Sequence, residues 1–388
     1  MDDQVRLDPE KTAQRYAPLI AARADEVERV RRLPADLAAD LAEAGLFGLL
    51  VPKSLGGAEV SPGTFIRVLE TLARADASVA WCVMIGATTG LTAAYLPRAE
   101  AERVFADSST ITGGVFAPLG RAVEQDGVYR VSGRWAWASG SANCRWLMGG
   151  AMIMDGSKPK LLSDGRPQHR MMVFPRQDAQ LIDTWQAWGL KGTGSGDMEV
   201  DQIAVPKARS VSLIDDRPWA DGALYAFPAF GLLALGVAAV ASGNATAALQ
   251  EARTLLMAKK AAGGKKTLAE RATIQAGFAE AEAGLAAAQA FLQSAVGEAW
   301  RRARSEGVLD LPARARLRLA ATHLVRTAAD VCRTAFDLGG GTSVYLTSPL
   351  QRRFRDGHTV TQHIMVAPAN YETVGRVLLD VPGDVTTL

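Results

Sequence analysis

Between residue 8 and about residue 110, apolar side chains recur at helical spacing, as at Leu37, Leu41 and the pair Ala44-Gly45, which predicts helices with one buried face. Pro34 stands where a first helical turn tolerates proline, and Gly45, Gly48, Gly56 and Gly57 punctuate the turn that follows. At Ser108 the period changes to two. The alternating stretches Val128-Tyr129-Arg130-Val131 and Met198 to Val205, broken by Asp126-Gly127, Ser132-Gly133 and Pro206, predict short antiparallel strands in a small β domain. From about Ala223 helical periodicity returns, in tracts at Ala245 to Lys260, Leu268 to Ala303 and Ala313 to Leu338 whose lengths suit a four-helix bundle. The pattern predicts a mostly helical α+β protein: an N-terminal helical domain over 1–110, a middle β-barrel-like domain over 111–215 and a C-terminal four-helix bundle over 216–388.

One stretch interrupts this reading. From Gly222 to Gln250 there is no charged residue, which is long enough to span a bilayer. It carries Pro228, Ser242, Asn244 and Thr246 and is dominated by Gly and Ala, which suits a helix packed on all sides inside a bundle better than a membrane span. A net charge of +2 on 388 residues gives no field to attract nucleic acid or anionic lipid, so neither is expected as a partner. The N-terminus lacks the basic-then-apolar order of a secretory signal. Cys82, Cys144 and Cys332 form no metal-ligand spacing and are odd in number, as for reduced thiols, so a cytoplasmic protein with no bound metal is expected. The glycine clusters at 263–264 and 339–341 read as loops between helices and match no phosphate-binding fingerprint.

Chemistry concentrates near the C-terminus. Two of only four histidines, His358 and His363, follow the pair Arg355-Asp356 within a few residues.

Four stretches in this order carry a resemblance: Leu33-Pro34 through Val51-Pro52 with Gly56-Gly57; Gly133-Arg134-Trp135-Ala136-Trp137-Ala138-Ser139-Gly140; Trp188-Gly189-Leu190-Lys191-Gly192-Thr193-Gly194-Ser195 with Val205-Pro206; and Pro349 to Asp356. Together they resemble the acyl-CoA dehydrogenase superfamily along almost the whole chain. The resemblance implies a strand holding Trp137-Ala138-Ser139 along one face of a flavin, with Trp137 near the isoalloxazine ring and Ser139 offering its N–H and hydroxyl to the N5 edge. Phe116 and Ala117 would line the pyrimidine edge. Three departures separate the chain from the dehydrogenases. Pro118-Leu119-Gly120-Arg121-Ala122 replaces their usual Thr-Glu-Pro-Gly-type loop and is similar to the flavin monooxygenase branch. Ile364 stands where many dehydrogenases place the catalytic glutamate, and no acidic residue lies between Asp221 and Glu251 to supply the alternative base, whose position falls at Gly236. Glu372, farther along, reads as solvated or capping.

Dehydrogenation of an acyl thioester needs a base for the α-proton. The monooxygenases instead place a histidine where His363 stands, beside reduced flavin that reacts with O2 to give a C4a-hydroperoxide, and such a histidine can deprotonate a phenol or hold and protonate the peroxide near neutral pH. The resemblance therefore implies catalytic roles for His363 and Ser139, and FMNH2 delivered by a separate reductase. Lys259, Gln275, Gly340 and Gly341 are the candidates for phosphate contacts, made partly across subunits of a homotetramer. In Lys259-Lys260-Ala261-Ala262-Gly263, alanine at the place of the family's aromatic adenine contact favours FMN and leaves FAD open. Trp81, Trp188, Tyr225 and Phe230 are candidate pocket walls for an aromatic, heteroaromatic or amino-bearing substrate. The rival expectation is an acyl-CoA dehydrogenase-like FAD oxidoreductase with an unusual base.

Overall fold

The computed structural model describes residues 8–260 and 264–388; residues 1–7 and 261–263, on which the readings of the N-terminus, of the adenine contact and of part of the 263–264 loop fall, lie outside them. Six α-helices open the described chain: α1 (Pro9–Ala22), α2 (Ala24–Val30), α3 (Ala35–Glu43), α4 (Pro62–Ala75), α5 (Ala77–Gly90) and α6 (Arg98–Val104). Their starts follow local chemistry. Pro34 is the N-cap of α3, Ser61 Oγ accepts the Thr64 N–H ahead of α4, and Asp76 accepts the Val79 N–H ahead of α5. Helix α5 has no polar face, and every residue in it is buried.

The middle of the chain forms one mixed sheet from β1 (Thr112–Gln125), β2 (Val128–Trp135), β3 (Trp146–Asp155), β4 (Lys158–Pro159), β5 (His169–Pro175), β6 (Gln180–Ile182), β7 (Asp197–Pro206) and β8 (Ser210–Val211). The strand path runs open, β6-β7-β2-β1-β3-β5-β8, with β4 on β3. Asp126 and Gly127, both at positive φ, close the β1–β2 hairpin. The all-antiparallel expectation fails at one place: β1 and β3 run parallel, because the chain leaves β2 at Trp135 and returns only after the excursion of residues 136–145. Ser132-Gly133 does not break β2 but shifts its register on β7. The fully buried Trp135 explains three glycines at once, since a Cβ at Gly120, Gly133 or Gly149 would lie 2.4, 2.7 or 2.6 Å from its ring.

Five helices complete the fold: α7 (Ala229–Ala258), α8 (Ala272–Glu306), α9 (Leu311–Gly339), α10 (Pro349–Val360) and α11 (Ala369–Leu378). Helix α7 begins sixteen residues before the expected Ala245 and absorbs most of the uncharged stretch. It packs against α4, α5, α8, α9 and α10, and 94% of its most apolar window is buried inside the protein. Close approach demands small residues, as a Cβ at Gly243 would sit 2.4 Å from Glu70 O and one at Gly236 2.6 Å from Met84 Cγ. The polar residues of the stretch are satisfied: Ser242 donates to Glu70, Asn244 to Arg353 O and Thr246 to Ser242 O.

Candidate functional site

The Arg-Asp motif lies inside α10, so the helix continues through Val360 where an extended stretch was expected after Asp356. Its charges join distant segments. Arg353 donates to Ala73 O, Arg74 O and Ala75 O, capping the C-terminus of α4, and pairs with Glu251. Arg355 donates to Trp188 O at 2.6 Å and pairs with Glu28, while Asp356 accepts the Leu190 N–H at 2.6 Å. Burial and the neighbouring Asp76 push the Asp356 carboxyl up to about 7, against the pull of the Leu190 N–H and of Arg355 and Arg353. Gly189 permits this grip, because a Cβ there would meet Arg355 O at 2.4 Å.

Leu190, held in left-handed backbone, passes the grip onward. Its carbonyl accepts from Thr193 Oγ1 at 2.9 Å; Thr193 and Ser195 hydroxyls lie 2.6 Å apart, as do those of Ser195 and Ser139. Trp81 on α5 donates Nε1–H to Ser139 Oγ at 3.1 Å. The other edge of the chain of contacts is His363, whose ring meets the Trp81 indole edge-on with centroids 5.5 Å apart. The two catalytic candidates, 224 positions apart in sequence, thus meet through one tryptophan. Trp81, expected only as a pocket wall, is their bridge.

His363 caps a short 3-10 turn at Ile364–Val366, and its Nδ1 accepts the Met365 N–H at 3.2 Å. A neutral imidazole with Nδ1 so engaged carries its proton on Nε2. Burial, with the Arg318 cation nearby, pushes the ring down to about 4, so it is neutral at pH 7. Ile364 is 73% exposed, and Glu372 is solvated and paired with Arg376.

The segment expected to line a flavin departs from strand geometry. Trp137 is not in a strand: β2 ends at Trp135, and Trp137 adopts φ 65° with its side chain 68% exposed. The Ser139 N–H folds back to Trp137 O at 2.8 Å, while Ala138 N–H and Gly140 N–H donate to Gly196 O and Thr193 O. On the neighbouring β1, Phe116 to Leu119 bulge opposite Gly150 alone, since Val115 pairs with Gly149 and Gly120 with Ala151. The Phe116 and Ala117 carbonyls lie where a Cβ on Gly150 would be, 2.4 and 2.6 Å away, and the Ala117 side chain is exposed. Phe116 meets Phe230 edge-on at 5.7 Å.

The side chains of the other candidates contact neighbours outside this arrangement. Trp188 is exposed and packs on Phe354 and His358. His358 bonds its own helix at Phe354 O. Tyr225 is buried and its hydroxyl lacks a partner among the described residues. Lys259 donates to Gly339 O beside the exposed Gly340 and Gly341, whereas Gln275 is exposed and bonds Ala269 O at 2.9 Å.

Comparison with known proteins decides the family. The model for "Acyl-CoA dehydrogenase, N-terminal domain" matches residues 10–99 and that for "Acyl-CoA dehydrogenase, C-terminal domain" residues 235–368. Indole-3-acetate monooxygenase of Pseudomonas putida is 31% identical over 358 residues, covering 92% of this chain and 90% of that protein. The oxygenase component of the FADH(2)-dependent resorcinol hydroxylase of a Rhizobium species is 30% identical over 383 residues, covering 93% and 90%. The chain belongs to the flavin-dependent monooxygenase branch of the acyl-CoA dehydrogenase superfamily. XiaF from a Streptomyces species, solved with FADH2 and glycerol, superposes with a TM-score of 0.87 at 25% identity, covering 98% of this chain and 97% of that one.

For a monooxygenase of this branch the residues present fit a flavin. The bulge at 116–119 and the exposed Trp137 indole lie on adjoining strands or just past them and offer apolar surface to a flat ring, with the buried Ser139 hydroxyl two residues beyond Trp137. Sequence reasoning missed Thr193, Ser195 and Leu190 as members of the site. Their only signal was the Leu190 to Ser195 segment, which was read as a mark of family and not as chemistry.

Proposed function

We propose that the chain is the oxygenase component of a two-component system in the cytoplasm, taking reduced flavin from a separate reductase and placing one atom of O2 on an aromatic or heteroaromatic small molecule, the other leaving as water. The reading rests on His363, a neutral imidazole set against Trp81 and next to Ile364, which stands where the dehydrogenases of the family need a carboxylate. Two relatives named for indole-3-acetate and resorcinol support the aromatic class. Bound reduced flavin would supply the electrons that activate oxygen. Trp137, Ser139 and the Phe116-Ala117 bulge would hold its ring, and Lys259, Gln275, Gly340 and Gly341 would reach its phosphate in a homotetramer. His363 would hold a proton at Nε2, which has no hydrogen-bond partner among the described residues, and donate it to developing negative charge. Trp81, Phe230 and Tyr225 are the proposed substrate walls. The alanine at 262 in place of the family's aromatic contact supports FMN, and the FADH2 named for two relatives supports FAD.

Anaerobic protein loaded with FMNH2 or FADH2 and mixed with oxygen and a panel of phenols and indole acids tests the reading. Hydroxylated product in excess of hydrogen peroxide is expected, with no reduction of an artificial acceptor by acyl-CoA. Acyl-CoA oxidation at enzymatic rates, or no binding of either flavin, overturns it.

A further inference from the structure

The hydroxyl chain that ends on Leu190 has a direction. Leu190 O can only accept; it also receives the Thr193 N–H and the Trp185 indole N–H, and its 2.9 Å contact with Thr193 Oγ1 is a hydrogen bond only with the Thr193 hydroxyl proton pointing to it. Thr193 then has no proton for Ser195, and the 2.6 Å contact between them is made only if Ser195 donates. Ser195 is spent in turn, so the 2.6 Å contact with Ser139 requires Ser139 to donate inward. The far end agrees, because Trp81 Nε1–H can only donate and Ser139 Oγ receives it. Ser139 therefore has its one proton directed at Ser195, one lone pair occupied by Trp81 and one lone pair left. The Ser139 N–H, bonded to Trp137 O, supplies no replacement donor. All three hydroxyl residues are buried, with Ser139 and Ser195 each at most 5% exposed, so water does not compete for these protons.

Reduced flavin carries a hydrogen on N5, whereas oxidised flavin presents a lone pair there. We propose that Thr193 and Ser195 are positioning residues that fix Ser139 as a hydrogen-bond acceptor, so that the site selects the reduced flavin by its N5–H and disfavours the oxidised ring. The proposal rests on the reading that Ser139 meets the flavin N5 edge. It assigns a redox preference to two residues that touch neither flavin nor substrate, and it gives the product flavin a reason to leave: oxidation turns an accepted donor into an opposed lone pair.

The test is the ratio of dissociation constants for oxidised and reduced flavin, by anaerobic fluorescence titration, in the full-length protein and four variants. Ser195→Ala frees the Ser139 proton to turn outward, and Thr193→Val removes the hydroxyl that orders the chain, letting Ser195 donate to Ser139 instead. Each should lower the wild-type ratio about fivefold, the size of one exchanged hydrogen bond, mainly by tightening the oxidised form. Thr193→Ser, which keeps the hydroxyl, should restore the ratio, and a general loosening of the fold would weaken both redox forms together without moving it. Ser139→Ala separates the two layers of the argument. If it leaves the ratio unchanged, Ser139 does not meet N5 and the site reading fails; if it collapses the ratio while Ser195→Ala and Thr193→Val do not, the reading stands and the proposal is overturned.

Discussion

His363 ties the site to protein stability, and the sign of the link is opposite to that of a salt-bridged histidine. An ordinary histidine titrates at 6.5, and in the folded chain burial and Arg318 hold it down to about 4. Between those values the unfolded chain binds the proton and the folded chain does not, so stability rises with pH and is lost as pH falls from 6.5 toward 4. At pH 5 the difference amounts to about 2 kcal/mol, and screening at a half-buried ring brings the expected range to about 1–2 kcal/mol. Asp356 acts with the opposite sign. Its carboxyl, raised to about 7, favours the fold when protonated and weakens it as pH rises from the ordinary 3.8 through that value. The wild-type profile alone therefore mixes the two, and the useful quantity is the difference between wild type and His363→Gln, which keeps polarity and removes the titration. Urea unfolding of flavin-free protein at fixed concentration, at pH 7.5 and pH 5, measures it. The wild type should lose about 1–2 kcal/mol more than the variant on acidification. Equal losses would show that His363 is protonated in the fold near its ordinary range, and the neutral donor assigned to it would be wrong.

Four further outcomes are expected. His363→Ala should slow oxygenation about 100- to 10,000-fold while flavin titration stays near wild type, as for loss of a positioned proton donor; full turnover would remove it from the mechanism. Gly149→Ala drives a Cβ to 2.6 Å from Trp135 and should cost about 1–3 kcal/mol in chemical unfolding, whereas Gly127→Ala, with nothing within 4 Å, should pay only for its positive φ. Asp356→Ala leaves the buried Leu190 N–H without its acceptor, at a cost of about 1–3 kcal/mol, and should raise peroxide release per flavin oxidised as the hydroxyl chain loosens. Light scattering at micromolar concentration should give a homotetramer, with the exposed loop at Val344, Tyr345 and Leu346 buried between copies; a stable monomer would refute the phosphate contacts proposed across subunits.

Much of the architecture was fixed by local rules that act over a few residues. The uncharged run from Gly222 to Gln250 could be placed at the centre of a bundle because nothing in it required water, and the alternation at Met198 to Val205 permitted only a strand with one buried face. The missing carboxylate at Ile364 and the histidine beside it were likewise readable, since the identity of a residue at a matched position needs no coordinates. What sequence could not supply was direction and partnership. Trp137 looked like a strand residue, yet the chain turns at φ 65° because Ala138 and Gly140 bond the 193–196 loop instead of a neighbouring strand. The parallel pairing of β1 with β3 is likewise a consequence of where the excursion after Trp135 returns. Trp81, Ser139, Ser195, Thr193, Leu190, Asp356 and His363 come from four separate stretches, and the hydroxyl residues are unremarkable in theirs. A hydroxyl's proton has no preferred direction in a sequence; it acquires one only when folding sets a carbonyl at one end of a buried chain and an indole N–H at the other.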